Sequence, residues 1–195
     1  MTKIMKISPK YSVDDWKVLT FNSEEDWQKA IDIFEDRIRG RFLKIVDIIS
    51  KYEFAGFAVL SLSCLLIETL QQFREGKAQT PRNKSGRYFI QFLTETSFKN
   101  FFTKNSAKMF YDQFRCGILH QGEVKEESRV LIRNGVPLVC ITQDRKGLII
   151  NRMLFYKQLV KVFEKYVYSL RVKANDNLRK NFKKKMHYIC RIVIV

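Results

Sequence analysis

The sequence contains 2 histidines, and one of them, His120, lies inside QFRCGILHQGE, Gln113 to Glu123, with Arg115 ahead of it. Histidine is the side chain whose ordinary pKa falls near neutrality, so acid–base chemistry in this chain runs through His120 or His187. Arginine adds a permanent, fork-shaped cation suited to phosphate. The two types match what RNA cleavage without a metal requires. One group must take the 2′-hydroxyl proton or protonate the leaving 5′-oxygen, and a cation must hold charge on the phosphorane. On a regular α-helix, residues at this spacing point about 140° apart, so they need a groove, or a second copy across a two-fold axis, to act on one phosphate. A structural alternative stands beside this one. A histidine near a helix C-terminus interacts favourably with the helix dipole, and Arg115 can pair with Asp112 one turn earlier.

The neighbours qualify the chemistry. Cys116 is not a nucleophile on this reading, because a helix C-terminus disfavours a thiolate, although Arg115 beside it acts the other way. Gln121 and Glu123 stand at the helix end as supporting groups, and Lys125 is placed to face phosphate. His187, in KKKMHYIC, reads as part of a solvated basic tail.

Several helices must position these residues. From Ser23, a candidate N-cap, to Tyr52, apolar residues Trp27, Ile31, Phe34, Ile38, Phe42, Ile45, Ile49 and Tyr52 recur at helical steps and predict one long amphipathic helix. EFAGFAVLSLSCLLIETLQQFREGK is apolar on nearly every side until Glu68, which predicts a central helix. GKAQTPRNKSG reads as a loop, with Arg82, Lys84 and Arg87 as exposed bases near it. RYFIQFLTETSFKNFF predicts a third helix, breaking near Thr96 and Ser97, with Phe89, Phe92, Leu93, Phe98, Phe101 and Phe102 as its packing face. A fourth, from near Ser106, carries Met109, Phe110, Phe114, Ile118 and Leu119 inward and stops at Gly122, so the motif occupies its last turns. After EVKEES the period changes to that of strands. Val130–Arg133, Leu138–Thr142 and Leu148–Ile150, separated by NG and QDRKG, predict a small antiparallel meander within 128–151. Leu154, Leu159, Val162, Phe163, Tyr166 and Leu170 then predict a long helix over 152–182, followed by a basic and apolar tail, 183–195.

A length of 195 residues, without a linker-like stretch, predicts a single domain, with 1–22 as an extension and 23–122 as core helices. Eight glycines and three prolines favour long uninterrupted elements in a mainly α fold, an antiparallel helical bundle. The net charge of +16 predicts a polyanionic partner, nucleic acid first. Lys180, Lys183, Lys184 and Lys185, interleaved with aromatics in RKNFKKKMHY, are candidate backbone-binding bases. The four cysteines form no CxxC pair and have no histidines at ligand spacing, which argues against a metal site or a disulfide framework. The start of the chain lacks an apolar leader region, and the apolar run Phe54 to Ile67 is shorter than the roughly 20 residues a membrane span needs. A cytoplasmic protein without cofactor is the expectation.

RCGILH fits the Rx4–6H pattern of the HEPN superfamily. The surroundings SLSCLLIETLQQF, SGRYFIQFL and FRCGILHQGE, followed by strand-like residues, resemble its Apea-like branch over roughly Glu24 to Tyr168. The resemblance implies a metal-independent endoribonuclease of the toxin or phage-defence type, dimeric, with a site shared between subunits. Arg115 would hold the scissile phosphate, and His120 would transfer protons to leave a 2′,3′-cyclic phosphate. Where many active members carry Asn, Asp or His directly after the arginine, this chain has Cys116. Other members are catalytically silent, binding RNA or a partner such as an antitoxin or a nucleotidyltransferase, and that is the alternative.

Overall fold

The computed structural model describes residues 5–191. It is mainly helical with a small three-stranded sheet, and it divides into two compact units, each built from separate stretches of chain.

The first unit comprises residues 5–45, Gln72–Gln79 and 164–191. Its first helix, α1 (Val13–Lys17), is closed by a capping box in which Ser12 and Asp15 satisfy each other's backbone amides. Trp16 on α1 is 1% exposed and sits edge-on to Phe182 at 5.9 Å. Residues 1–22 were expected to form an extension. Their described part instead contributes Ile7, Val13 and Trp16 to the core.

Helix α2 (Glu24–Ile38) begins at Ser23, whose side chain accepts the Asp26 amide. Ala30, Ile31, Phe34 and Ile38 form its buried face. A π-helical turn, Arg39–Leu43, joins it to α3 (Lys44–Ile49). The widened turn advances the chain by an extra residue, so the inward face passes to Leu43 and Val46. Ile45, which an unbroken helical repeat would bury, is therefore exposed, and Tyr52, also expected on that face, is exposed beyond the end of α3. Gly40 lies in this turn because a Cβ there would come within 2.2 Å of the Pro9 ring.

The long helix expected over 152–182 is two helices, α8 (Arg152–Arg171) and α9 (Asp176–Ile189). Arg179 explains the stop. Its Nε donates to Leu170 O at 2.9 Å and its Nη2 to Arg171 O, so carbonyls at the end of α8 are satisfied by a side chain of α9. The same guanidinium forks onto Glu24 at 2.7 and 2.9 Å. Residues 183–189, expected as a frayed tail, continue α9 and bury Lys185 and Met186. The last residues of the tail expected over 183–195, residues 192–195, lie outside the described part of the chain.

The second unit comprises Val46–Gln71 and Thr80–Phe163. Its principal helix is α4 (Gly56–Glu75), whose last residues belong to the first unit. By length and composition this helix could cross a membrane, contrary to the sequence expectation, yet half of its apolar window is buried, as in a core helix. Helix α5 (Ser85–Glu95) ends at Thr96, and a 3-10 turn, Ser97–Asn100, follows. Helix α6 (Lys104–Met109), capped by Thr103, continues through a π-helical turn, Phe110–Arg115, into α7 (Cys116–Gln121). Phe98, Phe102, Phe110, Phe114 and Phe155 stack together as the unit's aromatic core. Phe101, Leu119 and Leu154, also expected inside, are 43%, 38% and 39% exposed.

The sheet is not the expected antiparallel meander. Its order is β1 (Arg129–Leu131), β3 (Leu148–Asn151), β2 (Val139–Ile141). Strand β1 pairs with β3 in parallel, Val130 opposite Ile150, and only β2 and β3 form an antiparallel hairpin. The Asn134–Gly135 pair turns the chain without closing a hairpin. Asn151 explains why: its side-chain amide donates to the carbonyls of Arg133 and Val136, and its backbone N–H donates to Leu138 O. The connection is thereby held against β3, with Leu138 buried beside it.

Candidate functional site

Arg115 ends the π-helical turn and His120 lies in the last turn of α7, both in the second unit. Gly122 terminates α7 in the left-handed conformation, φ 68°, and its N–H donates to Ile118 O at 3.1 Å. The chain then folds back over Gly117, where a Cβ would meet Glu123 O at 2.4 Å. This return is pinned twice to Gln113, the first residue of the motif. Lys125 N–H donates to the Gln113 carbonyl at 3.1 Å, and Ser128 Oγ donates to its side-chain oxygen at 2.7 Å. Gln113 Nε2 in turn donates to Lys146 O at 2.7 Å, which ties the motif to the β2–β3 hairpin.

Contrary to the regular-helix expectation of side chains pointing apart, Arg115 and His120 touch. Arg115 Nη1 lies 3.4 Å from His120 Nε2. The long guanidinium arm, leaving the helix where a π turn has widened it, reaches along α7 to the imidazole. The second guanidinium nitrogen, Nη2, lies 3.3 Å from Glu68 Oε2 on α4, and Ser85 Oγ donates to the same oxygen at 3.0 Å. Arg115 therefore pairs with Glu68 and not with Asp112, which is exposed.

Tyr111 lies beneath the arginine, its ring centre 5.6 Å from the guanidinium carbon. Gly86 makes room for that ring, since a Cβ there would come within 3.0 Å of it. Burial raises the Tyr111 phenol above its ordinary pKa, so it remains a neutral hydroxyl near the cation. Partial burial works against the Arg115 charge, but the Glu68 carboxylate and the other groups packed around it outweigh this and hold the guanidinium more firmly protonated than usual. Cys64, one turn before Glu68 on α4, is buried, and desolvation pushes its thiol far above the ordinary range, which makes it inert.

The result is a graded line of groups. Glu68 and Arg115 are each 19% exposed in their side chains, and His120 stands in solvent at the outer end. A phosphate approaching from solvent meets an imidazole able to exchange a proton and a cation already oriented by a carboxylate. Cys116 lies within electrostatic reach of Arg115 and Tyr111 and so belongs to this group. Gln121 and Glu123 do not; Gln121 is exposed, and Glu123 accepts the neighbouring Val124 amide at 2.8 Å.

Glu68 and Ser85 are the members that the sequence did not single out. A lone carboxylate interrupting an apolar helix was the available signal for Glu68, because a half-buried charge needs a partner. Ser85 gives none, since its neighbours in GKAQTPRNKSG spell a loop.

The proposed phosphate-contacting bases divide between the units. Arg82, Lys84 and Arg87, all exposed, flank Ser85 in the same unit as the motif. Lys125 is half-buried, its side chain against Gly117. Lys180 and Lys184 are exposed on α9 in the first unit, and Lys183 lies 4.1 Å from the centre of the Phe21 ring. Lys185 is a correction. It is 6% exposed, its ammonium donates to Ala78 O, and burial with the nearby Arg37 charge lowers its pKa to about 8. A lysine spent on a backbone carbonyl does not face a nucleic-acid backbone. His187 is a second correction, since its ring is wedged between Trp16 and Phe21, at 5.9 and 6.1 Å, instead of lying on a solvated face.

Comparison of the chain with protein-family models, with curated proteins and with solved structures returned no match.

Proposed function

We propose that this chain is a metal-independent endoribonuclease of the HEPN type, acting as a two-fold dimer with Arg115 and His120 as its catalytic pair. The observation that carries the reading is the 3.4 Å contact between the two side chains at an exposed helix end, backed by Glu68. Arg115 binds the non-bridging oxygens of the scissile phosphate and stabilises the charge that grows there. His120 of one subunit takes the 2′-hydroxyl proton, and the freed oxygen attacks phosphorus. The 5′-oxygen leaves with a proton from the partner's His120, giving a 2′,3′-cyclic phosphate and a 5′-hydroxyl.

An apolar border supports the dimer. Leu119, beside His120, and Leu65, one turn before Glu68 on α4, are 38% and 48% exposed. A second copy covering these residues would bring two histidines and two arginines to one cleft. The exposed bases Arg82, Lys84 and Arg87 supply contacts to flanking phosphates, and the net charge of +16 draws RNA in.

One observation favours the second reading, an RNA- or partner-binding module without cleavage: Glu68 already engages Arg115, which leaves less of the guanidinium for phosphate. Incubation of wild type and His120→Ala with mixed RNA in EDTA, followed by end-group analysis, separates the two. The nuclease leaves cyclic phosphate ends and loses cleavage, but not RNA affinity, on substitution. Intact RNA with the wild-type dimer, or cleavage unchanged in His120→Ala, refutes it.

A further inference from the structure

At the start of α4, a pocket of about 270 Å³ is lined by Glu53, Gly56, Phe57, Ile132 and Arg152 among others. It lies wholly within the second unit and shares none of its lining with the Arg115 site. Arg152 is 2% exposed, which places it among the most deeply buried large side chains of the protein. Its Nη2 donates to Tyr52 O at 2.8 Å, while its Nε is buried without a partner. Among the described residues no carboxylate forms an ion pair with it. Glu53, exposed at the rim, is felt only through its charge, and desolvation lowers the Arg152 pKa.

A guanidinium in such surroundings calls for an anion, since an unpaired buried charge is among the most unfavourable groups a fold can hold. The pocket is the route by which one arrives. Gly56 opens α4, and the first amides of a helix have no carbonyl of their own to bond, so N–H donors and the positive end of the helix dipole belong to the same cavity. Glycine keeps that wall open; a Cβ at Gly56 would stand 3.6 Å from Arg152 Nη1 and 3.1 Å from Val130 Cγ1. The remaining wall is apolar. Phe54 and Ile132 are 93% and 53% exposed, as large apolar residues beside an open pocket would be.

We propose that this pocket binds a small carboxylate carried on an apolar body, with the carboxylate on Arg152 and the first amides of α4 and the body against Phe57 and Ile132. One fixed cation with a glutamate at the rim suits a monoanion better than a doubly charged phosphate, because Glu53 repels the second charge. The volume sits near the lower end for ligand pockets, which selects a small molecule.

Octanoate is the probe, titrated against the full chain by amide NMR, with 1-octanol as the uncharged control. Octanoate is expected to bind saturably at one site and to move the Gly56 and Phe57 amides. Octanol, lacking the charge-assisted hydrogen bonds, binds about tenfold weaker or less tightly still. Arg152→Met is the direct variant, but its burial ties it to folding. Ile132→Glu therefore tests the site from an exposed position, and it abolishes octanoate binding by repulsion, whereas Glu53→Gln strengthens it. Equal affinity for octanoate and octanol overturns the assignment, as does binding unchanged in Ile132→Glu or no saturation up to the millimolar range. A short apolar peptide with a free C-terminus that binds more tightly than octanoate overturns the small-molecule class.

Discussion

The ion pair between Glu68 and Arg115 is the joint between the apolar helix α4 and the motif, and its strength can be worked from its geometry. The partners stand 3.3 Å apart with side chains 19% exposed. At an effective dielectric of about 20, that distance corresponds to roughly 5 kcal/mol of attraction before desolvation is subtracted. Fully exposed pairs contribute about 0–1 kcal/mol, and breaking a fully buried one costs about 3–5 kcal/mol. A pair of this intermediate burial should show a coupling of about 1–2 kcal/mol in a double-mutant cycle built from Glu68→Gln and Arg115→Gln. Glutamine keeps an oxygen for the Ser85 hydroxyl, so the cycle isolates the charge pair. Urea unfolding of the four proteins measures it, with unchanged slopes confirming a common two-state transition. The same pair orients Arg115, so Glu68→Gln should lower the cleavage rate more than it weakens RNA binding. A coupling near zero would mean that the two side chains do not hold one another, and it would remove Glu68 from the account of the site.

Other perturbations test separate parts of the molecule. Phe155 is fully buried against Phe98, Phe102 and Phe110, so Phe155→Ala should destabilise by about 3–5 kcal/mol in the same unfolding assay. Gly122→Ala forces a side chain into the left-handed turn that ends α7; a loss of about 1 kcal/mol is expected, together with reduced cleavage if the turn positions His120. Burial first, and the Lys183 charge second, hold the His187 pKa below its ordinary 6.5. Since the unfolded chain then binds the proton more readily, stability is fully present above the unfolded pKa and falls as the pH drops through it towards the folded value. Thermal melts between pH 7.5 and 5 should show this decline in wild type and a flatter profile in His187→Phe.

Much of the helical framework was legible because its signals are local. Ser23 and Gly122 cap where their side chain and backbone freedom imply. The phenylalanine steps Phe89, Phe92 and Phe98 are buried as their spacing requires. What failed did so for reasons that lie outside a short window. The two π-helical turns each shift a helical face by a residue without leaving a compositional mark, and one of them misplaced Ile45. The parallel pairing of β1 with β3 follows from Asn151 bonding carbonyls 15 and 18 residues back in the chain. The end of α8 is written in Arg179, which a helical repeat reads only as one more solvent-facing base. Lysine runs show a similar limit: RKNFKKKMHY gives no sign that Lys185 turns inward to Ala78 while Lys184 stays outside.

By itself, then, the sequence determined that this is a basic, mainly helical protein whose one histidine-and-arginine motif closes a helix. Caps, periodic apolar residues and side-chain pKa values act over a few residues, so they can be read in order. Only the tertiary structure decided that Arg115 and His120 touch, that a carboxylate from a second helix, itself bonded by a hydroxyl from a third, holds the arginine, and that Arg152 lines a pocket without an ion-paired carboxylate among the described residues. Those are meetings of groups separated along the chain, and packing, not propensity, brings them together.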